Sequence, residues 1–275
     1  MPATDRVQLV IADVDGTVVT PDKVLTERAR AAVRQVLDSG IAFTITSGRP
    51  PLGMRMLVEP LGLKDPLAAF NGGVIVQPDL KVLRRHFLPQ TAAQSACEII
   101  SRHGLDVWLY TDEDWFVRKL QAPHVDREAF TVKFPPKVVP VYDALLGKAA
   151  KLVGVSDDYA AVARCEQDVQ KQCGDQVSAS RSQPYYLDVT HPQANKGEVV
   201  TVLSAMLNVP PEKIATIGDG PNDVLMFRRS GLSIAMGNAA DEVKQAAKFV
   251  TASNQEEGFA QAMERFILRN TSSAG

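Results

Sequence analysis

Two aspartates stand one residue apart near the start of the chain, where the apolar run of LVIADVDGTV (residues 9–18) ends. Side chains at positions i and i+2 of an extended chain point the same way, so Asp13 and Asp15 are expected to face one cavity. Two carboxylates this close repel each other, so either a cation lies between them or one of them keeps a proton. The first alternative predicts a Mg²⁺ site, because hard divalent cations prefer oxygen ligands, and the second predicts a general acid. A third alternative is that one aspartate only caps the following turn.

Polar side chains also follow two other apolar runs. Ser47 comes after FTIT, and Asp219 comes after ATIG, with Asp223 a few residues later. Lys196 stands at the expected start of a helix, where the helix dipole disfavours a cation, so an anionic partner is expected for it. Acids, a hydroxyl and a lysine around a cation suit phosphoryl transfer, in which the charge on the phosphoryl oxygens must be neutralised. A carboxylate can also serve as the nucleophile of such a reaction.

These residues need a scaffold that brings the ends of strands together. The segment 7–48 predicts a buried strand, a helix and a second buried strand, and the segment 196–268 repeats the same alternation. Buried strands joined by helices form a parallel sheet with helices on both faces, and ligands bind beyond the carboxyl ends of its strands. The expected fold class is therefore α/β, with a doubly wound parallel-sheet core.

The middle of the chain follows a different pattern. A helical segment near TAAQSACEIISRHG, paired strands in LDVWLYT and DWFVRK, and a helix in YAAVARCEQDVQKQ indicate an inserted α+β domain. We expect the α/β core over 1–83 and 185–275 and the inserted domain, called the cap below, over 84–184. A length of 275 residues, near that of two domains, agrees with this division.

Composition limits the possible partners. The chain carries 30 basic and 32 acidic side chains, a net charge of -2, which favours neither nucleic acid nor an anionic membrane. It has no leader-like segment and no apolar run of about eighteen residues, so a cytoplasmic protein without membrane contact is expected. The three cysteines, Cys97, Cys165 and Cys173, lack the spacing of a disulfide framework or a zinc site and are expected to be buried. The sequence leaves the oligomeric state open.

Four short motifs together resemble those of the haloacid dehalogenase superfamily of phosphatases. In chain order they are DVDGT (13–17), TSGR (46–49), NKG (195–197) and GDGPND (218–223). The α+β insert between the second and third motifs is similar to the type IIB cap of the Cof-like hydrolases, as are FNGGVIV (70–76) and AMGNA (235–239). The resemblance covers essentially the whole chain and implies a Rossmann-like core with a cap that selects the substrate.

The resemblance implies a role for each motif residue. Asp13 would be the nucleophile that forms an aspartyl-phosphate, and Asp15 would protonate the leaving alcohol and then activate water. Ser47 would hydrogen-bond a phosphoryl oxygen, and Lys196 would balance the charge of Asp13 and the phosphate. Mg²⁺ would be held by Asp13, by the backbone carbonyl of Asp15, by Asp219 and, as a further or outer-sphere ligand, by Asp223.

Four more residues would contact the substrate or support the site: Gly48, Arg49, Asn71 and Asn222. For Arg49 and Asn71 the alternatives are a surface ion pair and a turn residue. In the cap, Lys151 and Arg181 are candidates for contact with an anionic substrate. The four histidines show no metal-ligand spacing.

The leading hypothesis is a Mg²⁺-dependent phosphatase that acts on a phosphate monoester of a small metabolite, a sugar phosphate or a related compound. One alternative is a phosphotransferase or phosphomutase of the same fold. Others are a non-hydrolytic phospho-receiver, which would be much shorter and lack a cap, and a protein that only binds its ligand.

Overall fold

The chain forms two β-sheets, and helices pack on both of them. In the computed structural model, which describes residues 7–268, eight strands form one sheet and six form the other. The α/β fold expected from the alternation of strands and helices is confirmed. Within the described residues, no helix is both long enough and apolar enough to cross a lipid bilayer.

The strands are numbered in chain order. They are β1 (Leu9–Asp13), β2 (Ala42–Thr46), β3 (Leu67–Ala69), β4 (Val74–Val76), β5 (Val82–Arg85), β6 (Asp106–Tyr110), β7 (Trp115–Val117), β8 (Lys137–Val138), β9 (Lys151–Val155), β10 (Ser178–Gln183), β11 (Tyr186–Thr190), β12 (Ile214–Gly218), β13 (Leu232–Ala235) and β14 (Phe249–Val250). The larger sheet has the order β14-β13-β12-β1-β2-β3-β4-β5, and the smaller has the order β10-β11-β9-β6-β7-β8.

The larger sheet is mostly parallel. Its strands from β14 to β3 pair in parallel, and β4 and β5 add an antiparallel edge. β1 lies between β12 and β2, with Leu9 opposite both Ile214 and Ala42. The carboxyl ends of these three strands therefore lie side by side.

The helices are also numbered in chain order. They are α1 (Glu27–Asp38), α2 (Pro51–Val58), α3 (Gln90–Arg102), α4 (Val125–Val132), α5 (Tyr159–Cys173), α6 (Lys196–Leu207), α7 (Val224–Phe227), α8 (Asp241–Ala246) and α9 (Gly258–Ala262). The apolar spacing that predicts α1 buries its Ala29, Val33 and Val36. The Thr26 hydroxyl caps this helix by accepting a hydrogen bond from the amide of Ala29.

The larger sheet is buried on both faces, as the continuous apolar run of β1 predicts. Val10 and Ala12 belong to the apolar cluster that contains buried residues of α1 and α9. Leu9 and Ile11 belong to the cluster that contains buried residues of α6. Since helices cover both faces, the strand ends are where polar side chains can gather around a ligand.

The cap sheet, β10-β11-β9-β6-β7-β8, follows residues 84–184 closely but not completely. The chain leaves the larger sheet after Arg85 and returns through β11 to reach α6 at Lys196. β11 lies beyond residue 184, yet it pairs with both β9 and β10 inside the cap sheet. The division into 1–83 and 185–275 against 84–184 stays a prediction, and its outer ends at 1–6 and 269–275 lie outside the described residues.

Two features of the cap bear on the sequence predictions. All three cysteines are buried and free, as expected. The helix α4 (Val125–Val132) was not predicted from the sequence. Only Val125 and Val132 of this helix are buried. Its eight residues are also fewer than the roughly 11 over which a helical period can be recognised.

Candidate active site

The carboxyl ends of β1, β2 and β12 open into a cleft of about 780 Å³ that the cap borders on its other side. Asp13 ends β1, Ser47 follows β2, and Asp219 follows β12. Nine of the ten residues assigned to the site from sequence line this cleft: Asp13, Asp15, Ser47, Gly48, Arg49, Asn71, Lys196, Asp219 and Asn222. The tenth, Asp223, is fully buried behind the cleft wall.

Lys196 is a buried counter-charge for two carboxylates. Its Nζ donates hydrogen bonds to Asp13 Oδ1 and, over 2.6 Å, to Asp223 Oδ1. Burial alone would lower the pKa of Lys196, but the charges of the two aspartates outweigh it and raise the pKa well above its ordinary value. These aspartates are the anionic partners of a lysine that stands, against the helix dipole, at the start of α6.

The acids at this edge carry more charge than one lysine offsets. Burial raises the pKa of Asp13 well above its ordinary value, Lys196 opposes that shift, and the charges of Asp223 and Asp219 add to it. Burial and the charge of Asp223 also raise the pKa of Asp219 to about 6. The site is therefore short of positive charge.

Asp13, Asp219 and Asp223 form a candidate metal centre. One carboxylate oxygen from each lies within 4.8 Å of the others, and carboxylate oxygens are the ligands that Mg²⁺ prefers. A divalent cation also fits the shortage of positive charge. Asp223 is the least free of the three, because its Oδ1 accepts from Lys196 and its Oδ2 accepts from the amides of Asp219 and Gly220.

Two loops orient the Asp219 carboxylate. Thr17 Oγ1 donates to its Oδ1 over 3.2 Å, and Asn238 Nδ2 donates to its Oδ2 over 3.1 Å. Gly16 has a φ of +82°, and a Cβ at that position would lie 2.1 Å from Asp219 Oδ2, so the turn after β1 requires glycine. Thr17 and Asn238 lie in motifs quoted above, but spacing alone assigned neither of them a role.

Asp15 is bound by two basic side chains. Arg49 donates from Nε to Oδ2 and from Nη2 to Oδ1, both over 2.7 Å, and Lys23 Nζ donates to Oδ1 over 2.7 Å. Burial alone would raise the pKa of Asp15, but Arg49 and Lys23 outweigh it and lower the pKa to about 2. Asp15 is therefore ionised at neutral pH in this arrangement, whereas a general acid must carry a proton.

The two basic partners of Asp15, Arg49 and Lys23, differ in where they lie. Arg49 is 4% exposed and donates from Nη1 to the carbonyl of Gly53, whereas the Asp15 side chain is 31% exposed. The ion pair is therefore half-buried at the edge of the cleft. Lys23 was missed from the sequence: it lies in the loop between β1 and α1 with a φ of +62°. No motif or periodicity links it to Asp15.

The ion pairs of Asp15 with Arg49 and Lys23 should contribute to the free energy of unfolding in a pH-dependent way, and Asp15→Asn should remove that contribution. A carboxyl with a lowered folded pKa stabilises the fold above its ordinary pKa, about 3.9, and loses that contribution as pH falls to its folded pKa of about 2. The free energy of unfolding of the wild type should therefore exceed that of Asp15→Asn at pH 6, and the difference should shrink between pH 4 and pH 2. Urea unfolding measures both. Asp22→Asn, an exposed change in the same loop, is the control, and a difference that stays constant with pH would contradict the pairing.

The remaining predicted residues surround the turn after β2. Ser47 Oγ accepts a hydrogen bond from the amide of Arg49 over 3.2 Å, and the amide of Asn71 donates to the Ser47 carbonyl over 2.7 Å. Asn71 has a φ of +56°, a left-handed conformation that asparagine tolerates. Its Oδ1 accepts from Asn222 Nδ2 over 3.2 Å. Asn71 is thus a turn residue and also part of the cleft wall.

The cap supplies the other wall of the cleft. Its lining residues include Trp108, Arg127, Glu128, Lys151, Arg181, Tyr186 and Asp188. Lys151 pairs with Asp188 over 2.8 Å, and Arg181 pairs with Glu166 over 2.8 Å. The two cations singled out in the cap therefore already have acidic partners, and the rest of this wall was missed, since the sequence does not show which cap elements face the core.

Comparisons with known proteins agree with this geometry. The haloacid dehalogenase-like hydrolase family matches residues 10–263. The 5-amino-6-(5-phospho-D-ribitylamino)uracil phosphatase YwtE of Bacillus subtilis is 25% identical over an alignment of 284 positions, gaps included, which covers 94% of this chain and 97% of that protein. A haloacid dehalogenase-like hydrolase from Bacteroides thetaiotaomicron has a TM-score of 0.87 at 27% identity, over 94% of this chain and 99% of that one. The subclass IIB sugar phosphatase BT4131 shares the fold, with a TM-score of 0.82 at 21% identity over 94% of this chain and 98% of that one.

An α/β core with acids at its central strand ends and a cap across the cleft defines a class of capped hydrolases. The family match spans most of the chain, so the protein belongs to the haloacid dehalogenase-like hydrolase family. It is a phosphatase, as the four motifs predict, and belongs to the Cof-like group, as the α+β insert predicts.

Proposed function

We propose that this phosphatase is Mg²⁺-dependent and hydrolyses a phosphate monoester of a small metabolite through an aspartyl-phosphate at Asp13. One observation carries the proposal: the Asp13 carboxylate ends the central strand β1, is hydrogen-bonded by Lys196, and lies beside Asp219 and Asp223. A nucleophile, its counter-charge and a metal-binding set thus meet at one point of the cleft.

The reaction would proceed in two halves. In the first, an Asp13 oxygen bonds to phosphorus while the bond from phosphorus to the ester oxygen breaks, and Asp15 gives a proton to that oxygen. In the second, water attacks the aspartyl-phosphate, its proton goes to Asp15, and inorganic phosphate and free Asp13 result. Ser47 would donate a hydrogen bond to a phosphoryl oxygen, and Lys196 would offset the charge that Asp13 and the phosphate bring together.

Mg²⁺ would be held by Asp13, Asp219 and the backbone carbonyl of Asp15. When bound, the cation would neutralise charge on the phosphoryl oxygens. Asp223 suits an outer position, since Lys196 and two amides already occupy its oxygens.

Asp15 must gain a proton before the first half, and Arg49 and Lys23 hold it as an anion. A phosphate dianion in the cleft would compete for these two basic residues, both of which line it. It would also place negative charge near Asp15. Both effects raise the pKa of Asp15, so the substrate itself would convert Asp15 into the general acid.

The proposed substrate is a small phosphorylated metabolite, a sugar phosphate or a related compound. A cleft of about 780 Å³ falls within the range of small-molecule pockets. The relative YwtE is named for a substrate with its phosphate on a ribityl group, which supports this class. The cytoplasmic location and the lack of a nucleic-acid or membrane partner stay predictions from composition.

Phosphate release from p-nitrophenyl phosphate tests the proposal. Mg²⁺ should support turnover, a chelator should lower the rate by about 10²-fold or more because the charge on the phosphoryl oxygens is no longer neutralised, and added Mg²⁺ should restore it. With glycerol in excess, phosphate and p-nitrophenol should still appear in equal amounts. Full activity after chelation would contradict the metal dependence, and p-nitrophenol in excess of phosphate would favour a phosphotransferase.

A further inference from the structure

The cap sheet presents two chemically different faces. Residues opposite each other on neighbouring strands point to the same side, and the register places two such rows on one face: Trp108, Val153 and Asp188, then Tyr110, Lys151 and Thr190. The alternate residues include leucines and valines that pack with α3 and α5 in a separate apolar cluster. The face toward the cleft therefore mixes aromatic, charged and hydroxyl groups.

Three polar atoms on this cleft-lining wall have no hydrogen-bond partner among the described residues. They are Trp108 Nε1, Tyr186 Oη and Asp188 Oδ1, and each is buried. A buried polar group without a partner costs about 1–3 kcal/mol. Native structures retain few such groups, and three on one wall point to a ligand as their partner.

Lys151 and Asp188 offer a donor and an acceptor side by side. Lys151 Nζ forms an ion pair with Asp188 Oδ2 over 2.8 Å, which leaves ammonium hydrogens and Asp188 Oδ1 for a ligand. Glu128 adds a second acceptor, since Tyr110 Oη donates only to its Oε1, over 2.6 Å. Each hydroxyl of a diol both donates and accepts a hydrogen bond, so neighbouring hydroxyls could pair with the Lys151 donor and with the Asp188 and Glu128 acceptors.

The charges of the cap wall do not suit an anionic leaving group. Lys151 is paired with Asp188, and Arg181 is paired with Glu166. Glu128 adds an acid to the wall. Arg127, the remaining cation of this wall in the described chain, stacks over the Tyr185 ring at 5.2 Å and is exposed.

We propose that Lys151, Asp188 and Glu128, together with Trp108 and Tyr186, bind the hydroxyl groups of an uncharged, polyhydroxylated leaving group, the sugar or sugar-alcohol part of a phosphate ester. The inference rests on the proposed phosphatase function and adds the residues that select the substrate. A site built to hydrogen-bond hydroxyls rejects an analogue without them, because its polar groups then stay unpaired.

The test compares two esters with the same carbon chain, glucitol 6-phosphate and n-hexyl phosphate. The hydroxyl preference is kcat/KM for the first divided by kcat/KM for the second, and for the wild type it should be on the order of 10³ or more. Asp188→Ala should lower this preference by about 10- to 100-fold, the value of a hydrogen bond to a charged group. The double variant Lys151→Met, Asp188→Leu should lower it at least as far.

The double variant guards against misfolding, since replacing an ion pair by apolar residues of similar volume is often tolerated. Asp168→Ala is the matched control: Asp168 also pairs with a cap residue, His103 over 2.8 Å, but it lies on α5 and outside the cleft lining. It should keep the wild-type preference. An unchanged preference in Asp188→Ala and in the double variant, or a wild type that hydrolyses both esters equally well, would overturn the proposal.

A third ester, 6-phosphogluconate, has a carboxylate in place of the terminal hydroxymethyl group of glucitol 6-phosphate. The wild type should prefer glucitol 6-phosphate to it, and Arg127→Gln should leave that order unchanged. A preference for 6-phosphogluconate that is lost in Arg127→Gln would overturn the proposal in favour of an anionic leaving group. If the wild type releases phosphate from none of these esters and none from p-nitrophenyl phosphate, the proposed function itself has failed.

Discussion

Replacing Asp13 by Asn should lower kcat for phosphate release by about 10⁴- to 10⁶-fold, the range seen when an enzyme with a covalent intermediate loses a key catalytic group. Asparagine keeps the size of the side chain but is not a nucleophile, and it removes one acid from the candidate metal centre. The fold should persist, because Lys196 keeps its hydrogen bond to Asp223 and the repulsion among the acids falls. Steady-state assays with Mg²⁺ and a thermal unfolding scan measure the two effects.

A trapping experiment shows whether the loss reflects the nucleophile. Wild-type protein quenched in acid during turnover of a radiolabelled phosphate ester should carry protein-bound label that hydroxylamine removes, as expected for an acyl phosphate. Asp13→Asn should carry none. Asp241→Asn, a matched change at a residue with 87% side-chain exposure, should turn over and trap label as the wild type does. Label that persists in Asp13→Asn would place the nucleophile elsewhere.

Replacing Lys196 by Met should lower the free energy of unfolding by about 3–5 kcal/mol, the cost of removing one partner from a buried ion pair. Asp13 and Asp223 would then lie buried without their shared counter-charge. The loss should be larger at pH 8 than at pH 5, because the pKa of Asp13 is well above its ordinary value and that of Asp219 is about 6. The repulsion among the acids therefore grows as these two carboxyls ionise. Mg²⁺ should recover part of the loss. Urea unfolding at both pH values, with and without Mg²⁺, measures these changes.

Lys248→Met is the matched control for this change. Lys248 is an exposed lysine of the α/β domain, and its Nζ donates to the Gly231 carbonyl. Its replacement should change the free energy of unfolding by no more than about 0.5 kcal/mol at either pH. If Lys196→Met unfolded at the same urea concentration as the wild type at both pH values, Lys196 would not be the counter-charge of the two aspartates.

The clustering of the catalytic candidates of the α/β core at one sheet edge could be predicted, because it follows from local sequence patterns. Asp13, Ser47 and Asp219 each come directly after an apolar run, and parallel strands bring such positions to one edge of a sheet. The structure adds that β1, β2 and β12 are immediate neighbours. Lys196 could be singled out because a cation at the start of a helix opposes the helix dipole.

The ionisation of Asp15 could not be predicted in this way. Its partners Arg49 and Lys23 are 34 and 8 residues away in the chain, and the balance between burial and these two charges sets its pKa. From the sequence, the repulsion between the close carboxylates of Asp13 and Asp15 could be relieved by a proton on one of them or by a bound cation. The structure shows another way to relieve it, because two basic side chains stabilise Asp15 as an anion.

The sequence by itself determined the α/β class, the family and the acids, hydroxyl and lysine at the strand ends, because strand periodicity and motif spacing are properties of short segments. The tertiary structure alone decided which of these groups are charged and which cap side chains line the cleft. It brought Lys151 and Asp188 together on one face of the cap sheet and placed Glu128 nearby on α4. Ionisation and ligand recognition depend on distance and burial among residues far apart in the chain, and only the folded chain sets those quantities.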